Sequence, residues 1–204
     1  VVTLEIRRDV VGGRKLNMKN ERKQVILQTL AKLLETRSPS KVTTALLAKE
    51  SGITEAALYR HFPSKRRIFL ELFNFCDDSI RAKVTELKKT KSKDIEKAKT
   101  LFYFVVVFVE KNRGFARILS REALGPDEKN VIDAVNQFFN SLELSFKQIF
   151  SNEKALKIPK SLAAQVLTTN LEGIIARFIR SEFKENPSSY IDNYWIVASS
   201  SISS

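Results

Sequence analysis

Cysteine is nearly missing from this 204-residue sequence: Cys76 stands alone, so no internal disulfide braces the chain. A single thiol fits a reducing cytoplasm. Histidine also occurs once, as His61. There is no HExxH pair and no phosphate-binding glycine loop, so enzyme chemistry is set aside, and no catalytic residue, metal ligand or cofactor is assigned. Long apolar runs are lacking too. The longest, Leu101 to Val109, has nine residues against the roughly 20 a membrane helix needs, and reads as buried core rather than a span. Residues 1–17 lack the apolar core and cleavage site of a signal peptide, and the only methionine is Met18, so they read as an N-terminal extension. Six glycines and five prolines leave long stretches without a breaker; the default is helix throughout, an all-α protein.

What is abundant is positive charge, +12 overall. It is uneven: residues 1–75 hold 15 Lys and Arg against 7 Asp and Glu, the remaining 129 hold 20 against 16. Clustered cations displace counterions from a polyanion, so the front of the chain points to nucleic acid. The length suffices to bury a core without metals or disulfides.

Apolar residues recurring at three and four place the helices. Val25, Ile26, Leu30, Leu33 and Leu34 form one face over about 19–35, ended near Pro39. A second helix starts near Thr43 or Thr44 and stops before Gly52; a third, capped by Thr54, spans 55–61. The fourth, capped by Ser64, runs to about Lys89 with Ile68, Leu72, Cys76, Ile80, Val84 and Leu87 as its stripe, before the solvated KKTKSK connection. Cys76 is therefore core, not half of a dyad with His61. A fifth helix over 94–112 has apolar residues all round and is placed at the centre of the C-terminal part, although Val105, Val106 and Val107 favour a strand by propensity. Gly114 reads as a left-handed stop. Helices are expected at 115–124, 127–151, from Pro159 to about Lys184, and at 188–198, with Gly125-Pro126 as a break and 199–204 as a frayed tail. Arg177, Arg180, Glu182 and Lys184 read as a solvated helix face.

Thr44 to His61 reads helix, glycine-centred turn, helix, with Ala48 small enough for the crossing and Ile53 and Leu58 holding the angle. In a helix-turn-helix the second helix enters the major groove. Glu55, Ala56, Ala57 and Arg60 are its non-core positions, and the alanines permit close approach and apolar contact with thymine methyl groups.

The string ITEAALYRHFPSKRRIF, residues 53–69, resembles the recognition segment of TetR-family regulators, matching Tyr59, His61, Phe62 and Lys65 to that family's motif. The resemblance implies a three-helix helix-turn-helix DNA-binding domain over 18–64 and a helical dimerisation and partner-binding domain over 65–198. It also implies that Thr44, Tyr59, His61 and Lys65 hold phosphate, while Thr54, Glu55, Ala56, Ala57 and Arg60 face the bases or the adjacent backbone. Hydroxyls, an N–H and an ammonium around a short helix are suitable anchors of register.

A closer resemblance, to the nucleoid-occlusion branch of that family, rests on EKNRGFARIL (Glu110 to Leu119) and EGIIARFIRSEFKENP (Glu172 to Pro187). It implies a cytoplasmic, nucleoid-associated homodimer that binds palindromic double-stranded DNA and, when bound, antagonises assembly of the tubulin-like division protein FtsZ. The FtsZ C-terminal tail would dock at Phe75, Lys83, Phe104, Val107, Lys111 and Asn112. Lys83 and Lys111 stand where that branch has arginine, which loses a bidentate fork, and Val107 where it has glycine. At about 100° per residue Phe75 lies off the centre of the Leu72, Cys76, Ile80 stripe. Leu171, Ile174, Ile175, Phe178 and Ile179 are expected to pack against the same helix of a second subunit. The alternative is a ligand-responsive TetR-family repressor whose pocket is lined by some of the 14 phenylalanines.

Overall fold

A computed structural model describes residues 18–121, 129–153 and 156–202. The described residues are helical and contain no strand, as expected from the shortage of breakers. They fall into two compact units, one comprising the chain up to Phe75 with Lys111–Asp133, the other Cys76–Glu110 with Ala134–Ser204. That division differs from the expected boundary at residues 64–65, because a later helix returns to pack on the first.

In the first unit, α1 (Met18–Thr36) buries Ile26, Leu30 and Leu34 on one face. Val25, expected on that face, is 40% exposed, one step of about 100° away from Ile26. After a single 3-10 turn at Pro39–Lys41, α2 (Thr44–Glu50) opens with the Thr43 hydroxyl oxygen accepting the Leu46 N–H at 3.1 Å. Gly52, at φ 67°, supplies the left-handed turn. Then α3 (Glu55–His61) opens with the Thr54 hydroxyl oxygen accepting the Ala57 N–H at 3.2 Å. Ser64 caps α4 (Lys65–Lys88) in the same way, accepting from Arg67 N at 3.2 Å. Each cap satisfies an N–H that has no partner inside its helix.

Helix α6 (Arg113–Leu119) completes this unit and packs on α1. Gly114 does not stop a helix with a left-handed residue; it lies in the first turn of α6. A Cβ there would stand 2.6 Å from the Ala31 carbonyl oxygen, so glycine is needed for close approach of backbone to backbone. The helix ends at Ser120, followed by Arg121 at φ 58°, before the expected limit at Leu124. Leu124 and the Gly125-Pro126 break lie outside the described residues.

In the second unit, the stripe of α4 continues through Cys76, Ile80, Val84 and Leu87, all buried. Burial pushes the Cys76 thiol up to about 12, helped by the Asp77 carboxylate, so it packs as a small apolar group. Helix α5 (Asp94–Lys111) buries Leu101, Phe102, Val105, Val106, Phe108 and Val109; burial on several sides overrides the strand propensity of its valines. Helix α7 (Lys129–Ile149) and the 3-10 turn Phe150–Asn152 take the place of the expected 127–151 helix from residue 129 on, with 127 and 128 outside the described residues. Helix α8 (Lys160–Arg180) starts after Pro159 but ends four residues before Lys184 because Glu182 (φ 52°) and Phe183 (φ 63°) reverse the chain. Left-handed non-glycine residues cost roughly 1–2 kcal/mol each, offset as Phe183 packs edge-on against Phe178 at 4.9 Å. Glu182 and Lys184 are therefore not on the helix.

Helix α9 (Ile191–Ile202), preceded by a 3-10 turn at Pro187–Tyr190, packs on α8. Its end is no frayed tail: Ile202 is fully buried and its carbonyl accepts the Lys157 N–H at 3.0 Å. No helix among the described residues is long and apolar enough to cross a membrane.

Candidate nucleic-acid interface

The turn between α2 and α3 sets the geometry of the interface. Ala48 and Leu58 are buried at the crossing, so the residues between them on the wheel face outward. Glu55, Ala56, Tyr59 and Arg60 are exposed and Ala57 is partly so; Thr54 is exposed at the cap. The expected reading residues thus share one small helix with its outer side open.

Around that helix lie the groups expected to hold phosphate. Thr44, first residue of α2, is half-buried and donates its hydroxyl proton to the Glu55 carboxylate. The Tyr59 ring is 47% exposed and its hydroxyl approaches the Thr44 oxygen at 3.5 Å. Lys65 donates to the Pro39 carbonyl at 3.2 Å, with its ammonium 5.4 Å from the Phe69 ring centre. That contact fixes the ammonium beside the turn that follows α1. His61 ends α3, half-buried, with Nδ1 turned into the protein and without a hydrogen-bond partner. Arg37, Lys41, Lys49, Arg60 and Arg66 are exposed on the same unit. They carry the front-loaded charge to the surface, where it attracts a polyanion. Lys23, not singled out from the sequence, lies 5.2 Å from the ring centre of Phe62 and braces the residue that follows α3.

The family described as "Bacterial regulatory proteins, tetR family" matches residues 26–72, and "Tetracyclin repressor-like, C-terminal domain", of the SlmA-like type, matches 92–202. A Vibrio campbellii protein named nucleoid occlusion factor SlmA is 38% identical over 201 residues, covering 95% of this chain and 100% of its own. A Vibrio cholerae protein of the same name is 35% identical over 199 residues, covering 95% and 100%. The chain belongs to the SlmA family. Its relatives carry the name of a nucleoid occlusion factor, and its N-terminal part matches a family of bacterial regulatory proteins. In fold it is similar to NalD, described as the secondary repressor of the MexAB-OprM multidrug efflux pump in Pseudomonas aeruginosa, with TM-score 0.75 at 16% identity over 91% of this chain and 98% of that one.

Within this SlmA-family chain the residues expected to form a tail-binding groove have different exposures. Phe75 on α4 is 37% exposed. In the second unit, the Lys83 ammonium lies 5.9 Å from the ring centre of Phe104, which stacks on Phe108 at 5.7 Å. Phe104 and Val107 are half-buried; Lys111 is exposed, whereas Asn112 is buried at 4%. Twelve of the 14 phenylalanines are buried, and the two that are not are Phe75 and Phe104.

The expected dimer stripe is corrected. Leu171, Ile174, Ile175, Phe178 and Ile179 are at most 5% exposed within the single chain, so they form its own core and offer nothing to a second subunit. The opposite side of α8 exposes Leu162, Thr169, Gly173 and Ala176, and α9 exposes Ile196 (61%) and Val197 (68%). Their signal in the sequence is a second stripe of small or apolar residues at spacings of three, four and seven, hidden behind the larger first one.

Proposed function

We propose that this chain acts as a homodimeric, nucleoid-associated DNA-binding factor which, when bound to a palindromic duplex, antagonises FtsZ assembly and so regulates where division occurs. The observation that supports its DNA-binding half is the outward face of α3, with Ala56 exposed on it and hydroxyls and exposed cations on the same unit. Thr44, Tyr59, His61 and Lys65 hold phosphate and set register, while Thr54, Glu55, Ala56, Ala57 and Arg60 meet the bases or adjacent backbone. Two copies related by a two-fold axis place their α3 helices on successive major grooves, about 34 Å apart.

The dimer forms through the exposed side of α8 and α9, where Gly173 leaves open space for a partner helix and Leu162, Ile196 and Val197 supply apolar contact. For the FtsZ tail, the second unit offers Phe104 as an aromatic contact, with the Lys83 ammonium beside its ring and Val107 on the same helix; in the first unit Phe75 and Lys111 are the exposed groups, whereas Asn112 is buried. An extended apolar and acidic segment suits an exposed Phe75 ring and a partly accessible Phe104 ring with an ammonium beside it.

A ligand-responsive repressor is less well supported. Its pocket was to come from the phenylalanines, and nearly all of them are packed as core. A cleft of about 360 Å³ lined by α4 and α7 includes only Phe138 among them.

The test is to mix the pure protein, a duplex it selects from random sequence, and FtsZ, and to measure sedimented polymer. Polymer should fall when protein and duplex are present together. Unchanged polymer at saturating DNA rejects the FtsZ half while leaving DNA binding intact.

A further inference from the structure

Of the residues assigned to the reading face, Glu55 alone carries negative charge, an odd choice for a helix that approaches a polyanion. Its carboxylate is not loose: it accepts the Thr44 hydroxyl proton, and the Tyr59 hydroxyl stands 3.5 Å from the same Thr44 oxygen. Thr44 and Tyr59 are the two hydroxyls the proposed function gives to DNA phosphate. A hydroxyl has one proton to donate. While Thr44 gives it to Glu55, it gives none to a phosphate oxygen.

We infer that Glu55 is the residue that separates the proper site from other DNA: it stands in for phosphate on Thr44 in the free protein and must be displaced, then re-paired with a base, on binding. The inference rests on reading α3 as the DNA-facing helix. When phosphate takes the Thr44 proton, the released carboxylate is held against a duplex, where an unpaired charge is both repelled and stripped of water. Relief comes from a base-edge donor in the major groove, and the amino group of cytosine is the donor that suits a carboxylate. Glu55 therefore weakens binding to every sequence, and a cytosine within its reach restores what was lost. Neutral neighbours Ala56 and Ala57 have no comparable means of rejecting a sequence.

A merely structural clamp makes the opposite forecast. If the Thr44–Glu55 bond only ties α2 to α3, its removal loosens the reading helix and weakens binding everywhere.

The full-length protein is first used to select duplexes from a random pool. Wild type, Glu55→Gln and Glu55→Ala are then titrated, at fixed salt, on the selected duplex, on versions with each C·G pair changed singly to A·T, and on a scrambled duplex of equal composition. Glutamine keeps the shape and an oxygen for Thr44 but loses the charge, and helical circular dichroism is recorded for each variant. The expected result is about tenfold tighter binding of both variants to the scrambled duplex, and loss of about a tenfold preference at one C·G position, the scale of a single mismatch. Equal weakening of Glu55→Gln on all duplexes, or an unchanged ratio between selected and scrambled DNA, overturns the inference. If wild type enriches no duplex at all, the DNA-binding reading itself has failed, a different result from either.

Discussion

Gly114 sets its α-carbon against the backbone of Ala31, so closely that a Cβ would stand 2.6 Å from the Ala31 carbonyl oxygen and 3.1 Å from its α-carbon. Both obstacles are backbone atoms in the interior of α1 and cannot swing aside. Gly114→Ala is therefore expected to push α6 away from α1 and to cost about 1–3 kcal/mol, as overpacked cores do. Thermal unfolding followed by circular dichroism should show a midpoint several degrees lower. An unchanged midpoint would mean that the two helices separate at little cost.

The role of this glycine was not legible from sequence, because its partner lies far back in the chain and a glycine near a helix end also fits a left-handed stop. Much else was legible. Thr43, Thr54 and Ser64 announce three helix starts through the same oxygen-to-amide cap, and the α4 stripe from Ile68 to Leu87 is buried throughout. The outward face of α3 followed from the same logic, since Leu58 turns inward and its neighbours outward. Helix α8 misled because it carries two stripes. Periodicity locates both but does not say which one the chain keeps for itself, and the bulkier one went to its own core. The early end of α8 was hidden for another reason: left-handed Glu182 and Phe183 are not residues that announce a turn, and the reversal is held by contacts made across it, the Phe183 ring on Phe178 and the Phe183 N–H on the Phe178 carbonyl at 3.0 Å.

Two phenylalanines on α4 should respond in opposite ways. Phe73 is 2% exposed and packs against Phe115 at 5.7 Å, whereas Phe75 is 37% exposed. Phe73→Ala is expected to cost about 3–5 kcal/mol of stability. Phe75→Ala should leave the unfolding midpoint and DNA affinity nearly unchanged while losing the effect on FtsZ polymer. If instead it melts as early as Phe73→Ala, its ring belongs to the core and the proposed tail contact is wrong.

On the reading face, charge should matter more than size. Ala56→Asp sets a carboxylate toward the duplex at an exposed position, and is expected to weaken binding about 100-fold, at the upper end of single-position effects. Tyr59→Ala, which removes a proposed phosphate contact, should weaken selected and scrambled duplexes alike. Fluorescence anisotropy across a salt series checks both; undiminished affinity in Ala56→Asp would move the interface away from α3.

The exposed side of α9 offers a test of assembly. Ile196→Asp and Val197→Asp place charges at positions 61% and 68% exposed in the single chain, so neither should unfold a monomer. In a dimer the same charges would be buried without partners, at several kcal/mol each. Analytical ultracentrifugation should show the double variant as a folded monomer with weakened affinity for a two-fold site. A double variant that remains dimeric would place the interface elsewhere.

Alkaline titration probes the second unit through Tyr103. Its hydroxyl donates to Asp192 at 2.5 Å, and its pKa is raised from 10.0 to about 12, first by loss of water around the phenol and then by the hydrogen bond and charge of Asp192. Because folding favours the protonated phenol, this contribution to stability is fully present below pH 10.0 and is lost as the pH climbs through about 12. Ultraviolet absorbance should therefore show one of the four tyrosines ionising late while the helical signal persists. Asp192→Asn should bring that tyrosine earlier without returning it fully to the ordinary value, since burial, the larger cause, remains. Tyr103→Phe should abolish the late step altogether. Simultaneous ionisation of every tyrosine in the folded wild type would show that the contact between α5 and α9 is too loose to hold the proton.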